Sequence, residues 1–483
     1  LIGLNPAAHA VTADLRAVTT YESAGLYWTL PDGGEDCRVR YRAVGDTEWR
    51  VGFDLWFDAR SRECRGSLVH LRPGTRYEAE LGVGDGRYAH ALRFATWPER
   101  PPVARTVRVP AGSQTLVIDQ GGGSDGYVVY DGGGRTLDAG NEHAHNIVVS
   151  ASRVIVRNFV LRGAREDAIR ITSNVSEVVI EDNDIAGWGR AKDDGAAMDL
   201  DSGIRALCLS CPAAERITIQ RNRIHDPRHG ANSWSKAHPQ GPQAITFSFC
   251  GGNHVIRDNE IRAGDGRKFN DAIGGEDNFS LTGFPNADSD IYRNTIRGAW
   301  DDGIEAEGGN RNVRIWGNHI EDTATGIATT ATALGPIYIF RNVYGLSRFY
   351  DGRHPDKDSR GPFFKAGSSR ELGDGRRYLF HNTMKQPRGE GARNGLGGGS
   401  GIAGTGSDQL VNNTWSINNI YQVWRGDIGA KSQVGRDNAF ENDIEAGPDA
   451  AIASRARDRG RRIPNFNDGY RGRAPDIGAD ELG

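Results

Sequence analysis

Two short stretches of the 483-residue chain concentrate carboxylates in matching order: Phe269-Asn-Asp271-Ala-Ile-Gly-Gly-Glu276-Asp277 and Trp300-Asp301-Asp302-Gly-Ile-Glu305-Ala-Glu307. Asp302 follows Asp271 by 31 residues, and Glu307 follows Glu276 by the same interval. If the stretches are neighbouring parallel strands, stacked residues lie about 4.8 Å apart and residues i and i+2 about 6.6 Å. Glu276 would then stand beside Glu307, with Glu305 close by. Like charges at that spacing destabilise a fold and raise at least one carboxyl pKa. Hydrolysis of a glycosidic bond uses such a pair, one carboxyl protonated and the other ionised. Asp302, Glu305 and Glu307 are therefore the expected acid, base or nucleophile, with Asp271 and Glu276 as neighbours one coil earlier.

The same acids suit a second chemistry. Holding calcium, with Asp301 and Asp277 as further ligands, they would neutralise a uronate carboxylate while a basic side chain removes the C5 proton, as in a polysaccharide lyase or uronate epimerase. The insertion running from His225 through Arg228, His229 and Lys236 to His238 supplies candidate bases, as do Lys268 and Arg205. Arg170 and Arg205 would serve an anionic-sugar subsite. Trp300, abutting Asp301, is the aromatic expected to pack against the apolar face of a sugar ring. In a third reading the acids only stiffen a non-catalytic carbohydrate-binding or adhesin module with calcium. Hydrolysis itself requires no cofactor.

What must position these residues is a repeat. Alternating apolar residues followed by asparagine recur with the asparagines at Asn158, Asn183, Asn222, Asn259, Asn294, Asn318, Asn342 and Asn382. The steps are 25, 39, 37, 35, 24, 24 and 40 residues, a base period of 24 or 25 with insertions, which is the signature of a solenoid. The alternating residues are mostly valine and isoleucine. The remainder of each turn is rich in glycine, aspartate and threonine, poor material for the helical side of a leucine-rich repeat. A right-handed parallel β-helix is predicted, with the asparagines stacked inward at one turn.

After that turn each coil carries a small residue followed by isoleucine, at Ile169, Ile204, Ile245, Ile273, Ile304 and Ile327. If these isoleucines face the core, the acids beside them face outward on one strand row. Gly274 and Gly275 would leave space there for a sugar. Lys365 falls in the long segment from Tyr350 to Arg377, whose path relative to the groove the sequence leaves open.

Residues 103 to 483 resemble the pectate lyase-like superfamily of β-helix proteins, and Pro475-Asp-Ile-Gly-Ala-Asp-Glu481 is similar to the terminal phrase of many bacterial members. The resemblance implies action on a polysaccharide or oligosaccharide. Asp301-Asp302 resembles the paired aspartates of the polygalacturonases. Their Asn-Thr-Asp and Arg-Ile-Lys phrases are absent, however, and Arg228-His229-Gly230 only loosely matches their Gly-His-Gly, so pectin is not the expected substrate.

Residues 1 to 98 read as short strands separated by turns, a small β-sandwich, with 99 to 102 a proline-rich linker. Leu71-Arg-Pro73-Gly74-Thr75-Arg-Tyr77 resembles the corner of fibronectin type III domains, which implies that Tyr77 forms a tyrosine corner and Trp28 is buried. Cys37 and Cys64 look like a bridged pair of strand cysteines, and Cys208, Cys211 and Cys250 cannot all pair with one another. Disulfides imply an oxidising compartment, secreted or periplasmic. The chain starts at Leu1 with no signal pattern, so removal of a leader is expected.

Fifty-nine basic and 63 acidic residues give a net charge of −4, with no basic stripe for nucleic acid. No apolar run is long enough to span a bilayer. The 65 glycines follow no every-third-residue period, which excludes collagen. An all-β, two-domain monomer acting on carbohydrate is the expectation.

Overall fold

The computed structural model describes residues 14–30, 33–34, 36–84, 86–210, 213–330, 334–348, 351, 361–367, 374–385, 398–405, 410–423, 435–447 and 450–481. The chain divides into two compact units, one comprising Leu1–Glu99 with Ile463–Phe466 and the other comprising the rest.

In the first unit, Leu15–Thr19, Ala24–Thr29, Glu63–Leu68 and Trp56–Asp58 form one antiparallel sheet. Arg50–Val51, Cys37–Ala43, Arg76–Val83 and His90–Ala95 form another. Cys37–Ala43 alternates buried and half-buried residues along its whole length, as a strand with one core face must. Trp28, Cys37, Cys64, Leu68 and Tyr77 share the core, and Cys37 is bridged to Cys64. The Tyr77 hydroxyl accepts the Arg72 N–H at 2.8 Å, closing the corner from which Arg76–Val83 departs.

The second unit is a parallel β-helix. One sheet has ten strands, from Leu116–Ile118 through Ile169–Ile171, Ser202–Leu207, Gln243–Ser248, Ile273–Gly275, Asp302–Glu305 and Thr325–Ala328 to Gly361–Gly367 and Gly398–Thr405. The six marker isoleucines pair in one row, which also takes in Ile147 before them and Phe364 and Ile402 after them. All of them lie in a single core cluster. The remaining strands of each coil form a second parallel array, running from Val103–Arg108 to Ile444–Ala446.

The small residue before each isoleucine has a steric cause. A Cβ on Gly303 would lie 2.5 Å from Ile320, and one on Gly203 2.7 Å from Ile224. The chain turns a corner here, so two successive residues face inward and the one before them, Asp302, is free to face out.

The asparagine turn is a continuous hydrogen-bonded ladder. Each Nδ2 donates to the Oδ1 of the next rung at 2.9–3.1 Å, from Asn183 through Asn222, Asn259, Asn294, Asn318, Asn342 and Asn382 to Asn419. Asn158 is not a rung, contrary to expectation. It occupies the left-handed position just before the ladder (φ 59°) while Phe159 takes the rung and donates its N–H to Asn183. Asn158 thus corresponds to Asp182 at the start of the next turn, also left-handed.

Asp443 closes the far end, accepting the N–H and Nδ2 of Asn419 and the Ser416 hydroxyl. Burial pushes its pKa up to about 7. Because the native carboxyl binds its proton more tightly than the unfolded one, this group stabilises the fold most at acid pH. That contribution is lost as pH rises toward 7. Thermal unfolding between pH 4.5 and 8 is expected to show this loss, and Asp443→Asn is expected to flatten it; an unchanged profile in the variant would remove the assignment.

Cys208 is bridged to Cys250, and Cys211 lies outside the described residues. No helix is long and apolar enough to cross a membrane among the described residues.

Candidate active site

The row one residue beyond the isoleucines reads Arg170, Arg205, Thr246 and Gly274 in successive strands, and Glu305, Ala328 and Lys365 further along. Lys365, two strands from Glu305, supplies the cation of the site. Its Nζ lies 2.8 Å from Asp302 Oδ2 and 3.4 Å from Glu307 Oε1. Lys365 thus pairs with Asp302 and Glu307 and feels the charges of Asp301 and Glu305, while Asp271 joins the cluster through Glu305, Asp301 and Asp302. Asp302 and Glu307 are buried, whereas Glu305 is partly exposed.

Crowding shows in the proton affinities. Burial, then the charges of Glu307 and Asp302, push the Glu305 carboxyl well above its usual range, against the pull of Lys365. Asp271 is raised well above the usual range by burial and by Glu305, Asp301 and Asp302. Asp301 is raised likewise by burial and Asp302, with Lys365 and the Trp234 indole opposing. Glu307 is raised by burial and Asp302, while Lys365 and the Thr330 N–H hold it back. Burial works against the charge of Lys365, but Asp302, Glu307 and their neighbours outweigh it and keep the amine protonated.

The supporting shell is polar. Asn278 Nδ2 donates to Glu305 Oε1 at 2.8 Å, and Gln243 Nε2 to Asp271 Oδ2 at 3.0 Å. Thr246 and Ser202 extend the chain from Gln243 toward earlier coils. The other Asp271 oxygen accepts the Asp302 N–H at 2.9 Å, as Asp167 accepts the Ser202 N–H at 2.8 Å, so this carboxylate also fixes the corner where the next strand begins. Asp302 Oδ1 is buried and has no hydrogen-bond partner among the described residues.

Several expected site residues lie elsewhere or do other work. Glu276 does not stand beside Glu307: the pairing of Ile273–Gly275 with Asp302–Glu305 is recorded only at Ile273 and Ile304, and Glu276 instead bonds Arg205 and, at 2.8 Å, Ser248. Asp277 is not with the cluster acids as a metal ligand. It turns left-handed (φ 67°) and accepts from Ser280 and Thr282 in its own loop, which hold its carboxyl below the usual range.

Lys268 is fully buried rather than lining a groove. It pairs with Asp322 at 2.7 Å, and burial lowers its pKa to about 8. Trp300 presents no open sugar platform, because it is buried with the Lys268 ammonium 4.3 Å from its ring centroid. Arg170 and Arg205 are engaged by Asp167 and Glu276 instead of forming a free anionic-sugar subsite. A Cβ on Gly274 would meet Glu305 Oε2 at 3.1 Å, and one on Gly275 would meet Phe284 at 2.4 Å, so that space holds protein rather than sugar.

His238 is exposed, 3.4 Å from Asp301, with its ring against Trp234. Lys236 is exposed on the same insertion. His229 is half-buried, and burial with Arg228 and Arg267 lowers its pKa. Lys365, Gln243, Asn278 and Trp234 were not among the expected site residues.

Among the described residues, Asp271, Asp302 and Glu305 form the acidic group able to hold a metal ion, with one oxygen from each lying within 4.8 Å of the others. An all-oxygen set with an orphaned buried carboxylate oxygen fits a hard cation such as calcium. Asp301, expected as a ligand, lies outside that group of three.

No protein-family model matches the sequence, and no curated protein matches it either. The chain is similar to solved structures at low identity. One is XylC in complex with xylose (15% identity, TM-score 0.36), covering 58% of this chain and 44% of that one, so the match spans less than half of XylC. Another is PfbA, a surface adhesin of Streptococcus pneumoniae (10%, TM-score 0.44, 71% and 84% covered). A third is a family 28 exopolygalacturonase of Yersinia enterocolitica (10%, TM-score 0.30, 89% and 98% covered).

Proposed function

We propose that this chain is a glycoside hydrolase acting on a polysaccharide or oligosaccharide from the outer face of its β-helix. The observation that carries the reading is the crowding of Asp271, Asp301, Asp302, Glu305 and Glu307 into one cluster in which a lysine pairs with Asp302 and Glu307, with Glu305 partly exposed and holding its proton above the usual range. A carboxyl of that kind donates its proton to the leaving glycosidic oxygen as the bond to the anomeric carbon breaks. A neighbouring ionised carboxylate takes a proton from the water that adds to that carbon, or attacks it directly. Lys365 keeps part of the cluster ionised and holds Asp302 and Glu307 in place.

The alternative of uronate β-elimination has less support. Of the bases it could use, the cluster lysine is held protonated and the lysine with a lowered pKa is buried under Trp300, which leaves His238 at the rim of the cluster. Two disulfides favour a secreted or periplasmic setting, and the sandwich with its Tyr77 corner is read as a fibronectin type III-like accessory module. Incubation with a panel of neutral, amino and uronic-acid glycans is expected to release reducing ends without the ultraviolet absorbance of an unsaturated uronate. Absorbance would shift the assignment to a lyase. Binding without either product would make the chain a carbohydrate-binding module.

A further inference from the structure

Among the described residues of the β-helix unit, eight large apolar side chains are exposed, and four of them fall in three consecutive turns: Leu209 (74%), Phe249 (38%), Phe279 (58%) and Leu281 (56%). Those turns follow Ser202–Leu207, Gln243–Ser248 and Ile273–Gly275, which pair in parallel, so all four side chains border the same edge of the sheet. Glu307 leaves the next strand, Asp302–Glu305, at that edge. Stacked coils are about 4.8 Å apart, so the apolar rim runs along the solenoid axis from the acidic cluster toward earlier coils.

The backbone under this rim is fixed. A disulfide between Cys208 and Cys250 ties the first two turns together, next to Leu209 and Phe249. Phe249 is left-handed (φ 60°), a conformation a bulky side chain adopts only when its surroundings impose it. In the third turn Asp277 accepts from Ser280 and Thr282, and the loop lies directly on the chain after Glu307. A Cβ on Gly283 would collide with the Glu307 carbonyl oxygen, and one on Gly309 with that of Leu281. Asn278, the neighbour of Phe279, reaches Glu305 at 2.8 Å. Apolar side chains held out in water on a rigid backbone mark a surface made to be covered, and the pre-organisation favours what covers it.

Resting on the glycan-hydrolase reading, we infer that Phe279 and Phe249 are sugar-stacking subsites that hold an extended glycan chain along this rim, with its reacting end at Glu305. A sugar ring offers an apolar face that a phenyl ring covers while the hydroxyls at its edge stay wet. Phe249 lies two coils from the Glu305 strand, about 10 Å along the axis, so the substrate is a polymer or long oligosaccharide rather than a disaccharide. A second copy of the chain fits the rim poorly. A fully covered aromatic side chain contributes about 150–250 Å². Four partly covered side chains therefore offer about a few hundred Å², less than the roughly 800 Å² per partner of a stable interface.

Binding is read as retardation of the protein in gels containing a soluble β-glucan, a soluble α-glucan, chitosan or polygalacturonate, and cleavage as reducing ends released from the same polymers and their oligosaccharides. On the polymer that retards the parent, Phe279→Ala and Phe249→Ala are each expected to weaken retardation and raise KM about tenfold, with the loss falling on KM rather than kcat. The Phe249→Ala loss should fade as the oligosaccharide shortens. Phe279→Tyr, which keeps the ring, should restore binding, and Phe440→Ala, an exposed ring on the distant strand Ala439–Glu441, should behave as the parent. Retardation and KM that neither alanine changes overturn the inference, and cleavage then leaves the hydrolase reading standing. Retardation by none of the four polymers overturns it as well. Ring-dependent retardation without cleavage supports the rim and defeats the hydrolase reading. A dimer in sedimentation that Phe279→Ala dissociates gives the rim to a second copy and overturns the inference.

Discussion

Glu305→Gln is expected to lower turnover on a responsive glycan by about 10²–10⁴-fold while leaving the fold at least as stable as the parent. The loss follows from removing the one partly exposed carboxyl of the cluster that retains its proton against burial and against Glu307 and Asp302. Stability should not suffer, because the amide oxygen of glutamine still accepts the Asn278 amide and a group that cannot ionise replaces a buried carboxyl crowded by Glu307 and Asp302. A rise of a few degrees in Tm with loss of activity would mark a site that trades stability for function. The parent's activity should also fall as pH rises past the elevated Glu305 pKa, since the proton-donating form disappears. Unimpaired turnover in the variant would take Glu305 out of the reaction.

Lys365→Met is expected to do the reverse to the fold. It removes the only cation in direct contact with Asp302 and Glu307 among the described residues, and both carboxylates are buried. Breaking a buried pair from one side typically costs about 3–5 kcal/mol, more than the pair itself contributes. Urea unfolding reads this directly. Adding Asp302→Asn to Lys365→Met should recover part of the loss, because the stranded charge is then gone. Equal stability of single and double variants would show that the two side chains are not coupled.

The β-helix was legible in the sequence because its two markers are local: a valine and isoleucine run ending in asparagine, and a small residue before isoleucine. The isoleucine row pairs in the register read from that marker. What the marker cannot carry is where a strand stops. Glu276 and Asp277 follow Gly275, the last residue of their strand, and leave the row. Lys365 could not be placed for the converse reason, since its coil replaces the marker with Phe363-Phe364 and enters the row unannounced. Trp300 and Lys268 were misjudged because residue type does not reveal depth. Both are chemically suited to a sugar and both are packed away from solvent. Asn158 shows the limit even within the marker, where a one-residue offset separates the ladder from the turn that precedes it.

The asparagine ladder has a direction, and that makes its coils interchangeable in the middle but not at the end. Every interior rung, such as Asn294 or Asn318, receives an amide from one side and offers an identical one to the other. A coil of 24 residues, the interval between those two, could be copied and inserted there with every donor and acceptor met. Asp443 accepts from Asn419 and has no amide to pass on, so it suits the last position. Duplicating that final coil would place a rung without an amide inside the stack and interrupt the chain of amides. The solenoid can therefore lengthen by internal copying, and one aspartate marks where such growth must stop.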